Sequence, residues 1–179
     1  MPEMTHKFHN PGVAHTFTLA GRATLTVSSL KTGARYTFKV CRAENNGHPS
    51  YRWFVKLLTG PNNDANYTYV GVLDGTPLRL RLTAKSHYAA DSIPVKAFCW
   101  FWNHVTNGKM PPHTEVRHEG HCGRCGRTLT VPESIDRGIG PKCAEIMGLA
   151  PVAAKVVRAA KVPTAKVRAE KNVGVYLRP

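Results

Sequence analysis

The chain is poor in acidic residues: 11 Asp and Glu stand against 25 Lys and Arg in 179 residues. That scarcity argues against a two-metal nuclease, which needs several carboxylates around its ions. No apolar run is long enough to span a bilayer, so no transmembrane helix is expected. The opening MPEMTHKFHN has no apolar core and does not read as a secretory signal. Catalytic signatures are missing as well: there is no Walker-type phosphate loop, no H-E-x-x-H and no G-x-S-x-G. His118 and Glu119 are adjacent, without the intervening residue that the H-x-E of a zinc deaminase requires. There is one C-x-x-C pair and no Asp-His metal motif of the HNH nuclease kind. A non-enzyme is therefore expected. Cys41 and Cys99 are isolated and the other three cysteines cluster, which suits a reducing cytoplasm better than a disulfide framework.

What the chain does have is positive charge, +14 with histidine neutral, and it is unevenly spread. Residues 1–110 carry thirteen Lys/Arg against five Asp/Glu, residues 111–148 five of each, and residues 149–179 seven against one. The basic footprint thus lies on the N-terminal region and on the tail. A field of this sign favours polyanions, nucleic acid first. A protein partner, such as a host defence or transcription complex, is the competing expectation.

Residues 1–13 read as a flexible arm. From His15 the pattern alternates with period two, as strands do. HTFTLA, ATLTVSS, ARYTFKV, YRWFVKLLTG, ANYTYVGVL and LRLRLTAKS are separated by turn residues such as Thr32-Gly33, Pro61-Asn62-Asn63-Asp64 and Asp74-Gly75. Short connections imply an antiparallel meander. Val95, Phe98, Cys99, Trp102 and Val105 then recur at helical spacing between Ser92, a candidate cap, and Asn107-Gly108. That helix is expected to cover the sheet. On the other sheet face, Arg35, Lys39, Arg52, Lys56, Arg79 and Arg81 fall on neighbouring strands, with Tyr51, Phe54, Tyr67 and Tyr69 among them. Two readings stay open here. The rings are core and the charges a solvated face, or both together hold a nucleic-acid strand, phosphate on Lys/Arg and bases on the rings.

The segment His118–Ala144 reads HEGHCGRCGRTLTVPESIDRGIGPKCA. Cys122 and Cys125 are three residues apart, a spacing at which two thiolates on a tight turn hold one metal ion. Gly123 and Gly126 let backbone amides face the sulfurs, as in a zinc knuckle. Cys143 follows in PKCAEIMG, where Pro141 suits the first turn of a short helix. Tetrahedral zinc needs a fourth donor, and His118 is the first candidate, with His121 as alternative. His121 is disfavoured because adjacent side chains diverge. The site is expected to be closed and structural. Thr128–Val131 reads as a short strand and Pro132–Gly140 as a loop, in a treble-clef-like arrangement. Arg124 and Arg127 project from the knuckle as candidate phosphate contacts.

CGRCGRTLT, PESI and GIGPKCA resemble a short cysteine motif of bacterial and phage proteins, a domain of unknown function regarded as zinc-binding. The motif often carries a histidine four residues before its first cysteine, where His118 stands. The resemblance covers about 27 residues. It implies zinc held by His118, Cys122, Cys125 and Cys143 and a phage or bacterial origin, and it implies no activity.

The reading is an α+β chain: a flexible arm (1–13), a β-rich domain ending in a helix (14–109), a zinc-binding module (113–148) and a basic tail (149–179). The tail residues Lys155, Arg158 and Lys161 would form a basic helix side. The expected cofactor is structural Zn²⁺, the expected partner DNA or RNA, the expected place the cytoplasm.

Overall fold

The computed structural model describes residues 6–150. Lys155, Arg158 and Lys161 lie outside them. Six strands form one antiparallel sheet: β1 (Arg22–Ser29), β2 (Arg35–Asn45), β3 (His48–Leu58), β4 (Tyr67–Asp74), β5 (Arg79–Arg81) and β6 (Thr114–His118). Their spatial order is β5-β4-β3-β2-β1-β6, so the first five form the expected meander and β6 returns to the open edge of β1. Helix α1 spans Pro11–Thr18 and α2 spans Ile93–Thr106; α3 (Pro132–Arg137) and α4 (Pro141–Ile146) are single-turn helices near the cysteines.

Period-two alternation sets the two faces. In register, Phe38 lies opposite Leu25 and Leu57, and Val40 opposite Ala23 and Val55. All six are buried and form one face of the sheet with Val27, Trp53 and Leu73. Helix α2 packs there through Val95, Phe98, Phe101, Trp102 and Val105. Phe98 meets Phe38 edge-on at 5.1 Å. The two buried indoles find partners: Trp102 Nε1 donates to Leu78 O (2.9 Å) and Trp53 Nε1 to Leu19 O (3.0 Å). Cys99 sits half-buried at the side of this stripe.

Three local expectations need correction. HTFTLA is not a strand, because its residues belong to α1 and its C-terminal flank. Asn10 caps this helix, its Oδ1 accepting from Gly12 N (2.8 Å) and Val13 N (3.2 Å), and Pro11 occupies the first turn. A satisfied cap and a preset proline φ outweigh a short alternation, and the helix buries Ala14, Phe17 and Thr18 on one side. The end of the arm is also ordered. Phe8 N donates to Val116 O (2.8 Å), His118 N donates to His6 O (2.9 Å), and Phe8 is buried. Finally, β5 is three residues long rather than the whole of LRLRLTAKS, although Leu78, Leu80 and Leu82 do pack inward.

The cysteine segment is built into this body. Its first residues form β6, paired with β1 so that Val116 faces Val27 and His118 faces Leu25. The expected strand at Thr128–Val131 is reduced to one bridge, His121 with Thr128, and α3 replaces part of the expected loop. Cys122, Leu129, Ile135, Ile139 and Cys143 join the same apolar cluster as the sheet core.

Candidate functional site

The first site is the cysteine cluster. Cys122 and Cys125 bracket a turn closed by Gly126 N donating to Cys122 O (2.8 Å) and Cys122 N donating to Arg127 O (2.8 Å). Gly126 has φ +78°, which favours glycine. Cys143 comes from the first turn of α4, behind Pro141 as expected. The three sulfurs lie within 4.8 Å of one another. Gly140 N points at Cys122 Sγ (3.4 Å) and Arg124 Nη1 at Cys143 Sγ (3.9 Å). Burial raises the Cys122 thiol, but amide donors from Gly140, Cys125 and Arg124 outweigh it and bring its pKa below the ordinary thiol value. Burial and the neighbouring thiols push Cys143 up. Three converging soft donors with N–H groups aimed at sulfur fit a thiolate-bound metal ion.

What seats this cluster on the body is Phe17 of α1. A Cβ on Gly123 would come within 2.7 Å of the Phe17 ring, and one on Gly138 within 2.5 Å. Gly138 also has φ +71°. Main-chain bonds tie Gly123 to the start of β1 and to Gly138: Arg22 N donates to Gly123 O (2.6 Å) and Gly123 N to Gly138 O (2.9 Å). Gly123 therefore serves close packing, beyond the amide-facing role read from the sequence.

The expected fourth ligand is not in the cluster. His118 is 3% exposed on the core face of β6. Its Nε2 is 2.7 Å from Ile135 O and its Nδ1 accepts from Gly120 N at 3.1 Å. Both ring nitrogens are thus spent on backbone groups, and the ring packs against His6, Phe8 and Phe17 at centroid distances of 5.1–5.4 Å. Burial holds its pKa down at about 4, so the ring is neutral, with Nε2–H the donor to Ile135 O. His121 is exposed and also lies outside the group of three.

Residues 112–148 match the model of a family of unknown function, DUF6011. The matched segment takes in β6, all three cysteines, α3 and α4. No curated protein matches the chain, and no solved structure does. Among the described residues no helix is long and apolar enough to cross a membrane.

The second site is the outer face of the sheet. Strand register puts Arg35, Lys39, Arg52, Lys56, Arg79 and Arg81 on the face opposite the α2-covered core. Lys39 pairs with Lys56 across β2 and β3, and Lys56 with Tyr69 on β4. Phe54 pairs with Val72, which in turn pairs with Arg81. Phe54 is 40% exposed and meets Tyr69 edge-on at 6.2 Å. The Lys39 ammonium sits over the Tyr67 ring at 4.7 Å. Burial, followed by Glu119, Asp64 and Cys41, pushes Tyr67 up to about 12. The rings of Phe54, Tyr67 and Tyr69 are therefore on the charged face and not in the core. Tyr51 is corrected to the other side: it shares the parity of Trp53 and lies near the Arg42 guanidinium, at 5.8 Å.

Among the described residues the salt bridges are Arg81–Asp74, Lys7–Glu115 (2.9 Å) and Arg117–Glu115 (3.0 Å). Arg35, Lys39, Arg52, Lys56 and Arg79 have no carboxylate at salt-bridge distance there. Sequence reasoning missed Arg117 and Glu119, which β6 brings to this face. With Arg35, Thr26 and Thr37 they line a cleft of about 660 Å³. The alternation in TEVRHE was a signal for that strand, but it is too short to stand out. Arg124 and Arg127 belong to the cysteine turn; Arg127 is exposed and Arg124 half-buried against Cys143.

Proposed function

We propose that this chain is a non-enzymatic, zinc-stabilised nucleic-acid-binding protein. The observation that carries the reading is the outer sheet face. Five cations without a carboxylate at salt-bridge distance among the described residues share it with three aromatic rings, and neither α1 nor α2 covers it. Such a surface suits an unpaired strand: phosphates meet Lys39, Lys56, Arg52 and Arg79, and bases stack on Phe54 and Tyr69. Cys122, Cys125 and Cys143 would hold Zn²⁺. When bound, the ion cross-links the turn to α4 and holds both against α1.

The test is binding of zinc-loaded protein to single-stranded DNA, double-stranded DNA and RNA at two salt concentrations. Three variants decide it. The triple variant K39Q/K56Q/R79Q should lower the log–log salt slope on a single strand by about 2, given about 0.7 per phosphate neutralised. Phe54→Ala should cost about 1–3 kcal/mol of binding, the range of one base–aromatic stack. A control of equal charge away from this face, K31Q/K96Q/K109Q, should change neither affinity nor slope beyond a screened, uniform decrease. Equal losses in the control and the sheet variant would make the charge incidental. A zinc-loaded protein that ignores all three nucleic acids would favour the protein-partner reading, for which Ile93 and Trp100 offer exposed apolar area on α2.

A further inference from the structure

We infer that the three-cysteine centre takes its fourth metal donor from outside the chain, and that this donor is an oxyanion of the phosphate class drawn into the cleft the cysteines line. The inference rests on the metal reading of Cys122, Cys125 and Cys143.

Zinc held by thiolates is four-coordinate, and three sulfurs leave one position to fill. His118 does not fill it. Turning its ring toward the sulfurs would abandon two backbone hydrogen bonds in a dry environment and the packing against Phe8 and Phe17. The exposed His121 ring also lies outside the group of three. Residues 1–5 and 151–179 contain neither histidine nor cysteine.

The surroundings of the sulfurs point the same way. A cleft of about 400 Å³ is lined by all three cysteines together with Arg124, Arg127 and Lys142. Thr128, Thr130 and Ser134 add hydroxyl groups. Among the described residues no carboxylate and no imidazole lines it. A donor from the described residues would have to be one of those two groups, whereas three cations and three hydroxyls are the complement of an oxyanion. Arginine forks match phosphate oxygens in pairs, lysine adds a point charge, and hydroxyls donate. Net charge agrees: three thiolates and one divalent ion leave about one negative charge, which the three basic side chains exceed.

The experiment uses the full chain loaded with Co²⁺, whose visible bands report the donor set. Inorganic phosphate and a 5′-phosphorylated oligonucleotide, set against its unphosphorylated twin, are the probes. The wild type should bind one cobalt. His118→Phe and His121→Ala should keep both the thiolate charge-transfer absorption and the d–d bands. Inorganic phosphate should shift the d–d bands saturably, and R127Q/K142Q should weaken that response about tenfold, the effect of losing charged hydrogen bonds, without altering thiolate absorption. A response to the 5′-phosphorylated strand above that of its twin assigns the anion to nucleic acid, and a response to inorganic phosphate alone assigns it to free phosphate; both support the inference. Bands that stay fixed in phosphate, or that change in His121→Ala or His118→Phe, overturn it while leaving the metal reading intact. Failure to bind stoichiometric cobalt overturns the metal reading itself and the inference with it.

Discussion

Replacing His118 with phenylalanine separates a core histidine from a metal ligand. Phenylalanine keeps an aromatic ring among His6, Phe8 and Phe17, so the cavity contribution is small. It removes both polar contacts; Gly120 N–H is left buried without a partner, while Ile135 O still accepts from Gly138 N (3.0 Å). At about 1–3 kcal/mol for one stranded buried group, the variant should lose about 1–3 kcal/mol. Against a typical stability of about 5–15 kcal/mol this is a sizeable fraction, worth roughly 2–12 °C in melting temperature for a chain of this size. The loss should appear in urea unfolding of the metal-free and zinc-loaded protein alike, and zinc stoichiometry should stay at its wild-type value. There is a pH signature as well. Burial depresses the folded pKa to about 4 from the ordinary 6.5, so the unfolded chain binds the proton first as pH falls. The contribution is fully present above about pH 6.5 and is lost as pH falls toward 4, a difference of at most about 3 kcal/mol. In His118→Phe it disappears, so the stability gap between wild type and variant should narrow between pH 7.5 and 4.5. Comparing the two proteins at each pH cancels cysteine protonation. The reasoning is refuted if the variant unfolds like wild type without metal but binds zinc more than about a hundredfold more weakly, beyond what the loss of a partner behind a ligand costs.

The remaining predictions follow from the same contacts. Gly138→Ala places a Cβ 2.5 Å from the Phe17 ring at φ +71°, and should cost about 2–4 kcal/mol in urea unfolding from overpacking and left-handed strain. Gly148→Ala, also at positive φ but with open space around it, should cost only about 1–2 kcal/mol. Asp74→Asn frees Arg81 and, if the outer face meets phosphate, should raise single-strand affinity and steepen the salt slope by about 0.7; an unchanged slope counts against Arg81 as a contact. Removing zinc with a strong chelator should accelerate hydrogen exchange in residues 120–146 and leave β2 and β3 protected, because the sheet's own pairs hold those strands. Uniform loss of protection would make the ion a determinant of the whole fold.

Local patterns settled a good part of this protein before any coordinates. The meander from Ala23 to Leu73 follows from alternation and turn residues, and α2 from its apolar stripe and Asn107-Gly108. The three-cysteine cluster was legible too, since a C-x-x-C turn and a proline-started helix each fix their own sulfur by local geometry. Non-local pairing decided the rest. His118 looked like a ligand in sequence because it precedes Cys122 by four residues. Pairing of β6 with β1 sets it opposite Leu25, so the pleat turns its ring into the core and gives its nitrogens to Gly120 and Ile135. The same pairing carries Arg117 and Glu119 to the outer face. The roles of Gly123 and Gly138 depend on Phe17, more than a hundred residues earlier in the chain. A residue's type and spacing set what it can donate, while the strand or helix that packs beside it sets which direction it faces and whether its donor is already taken.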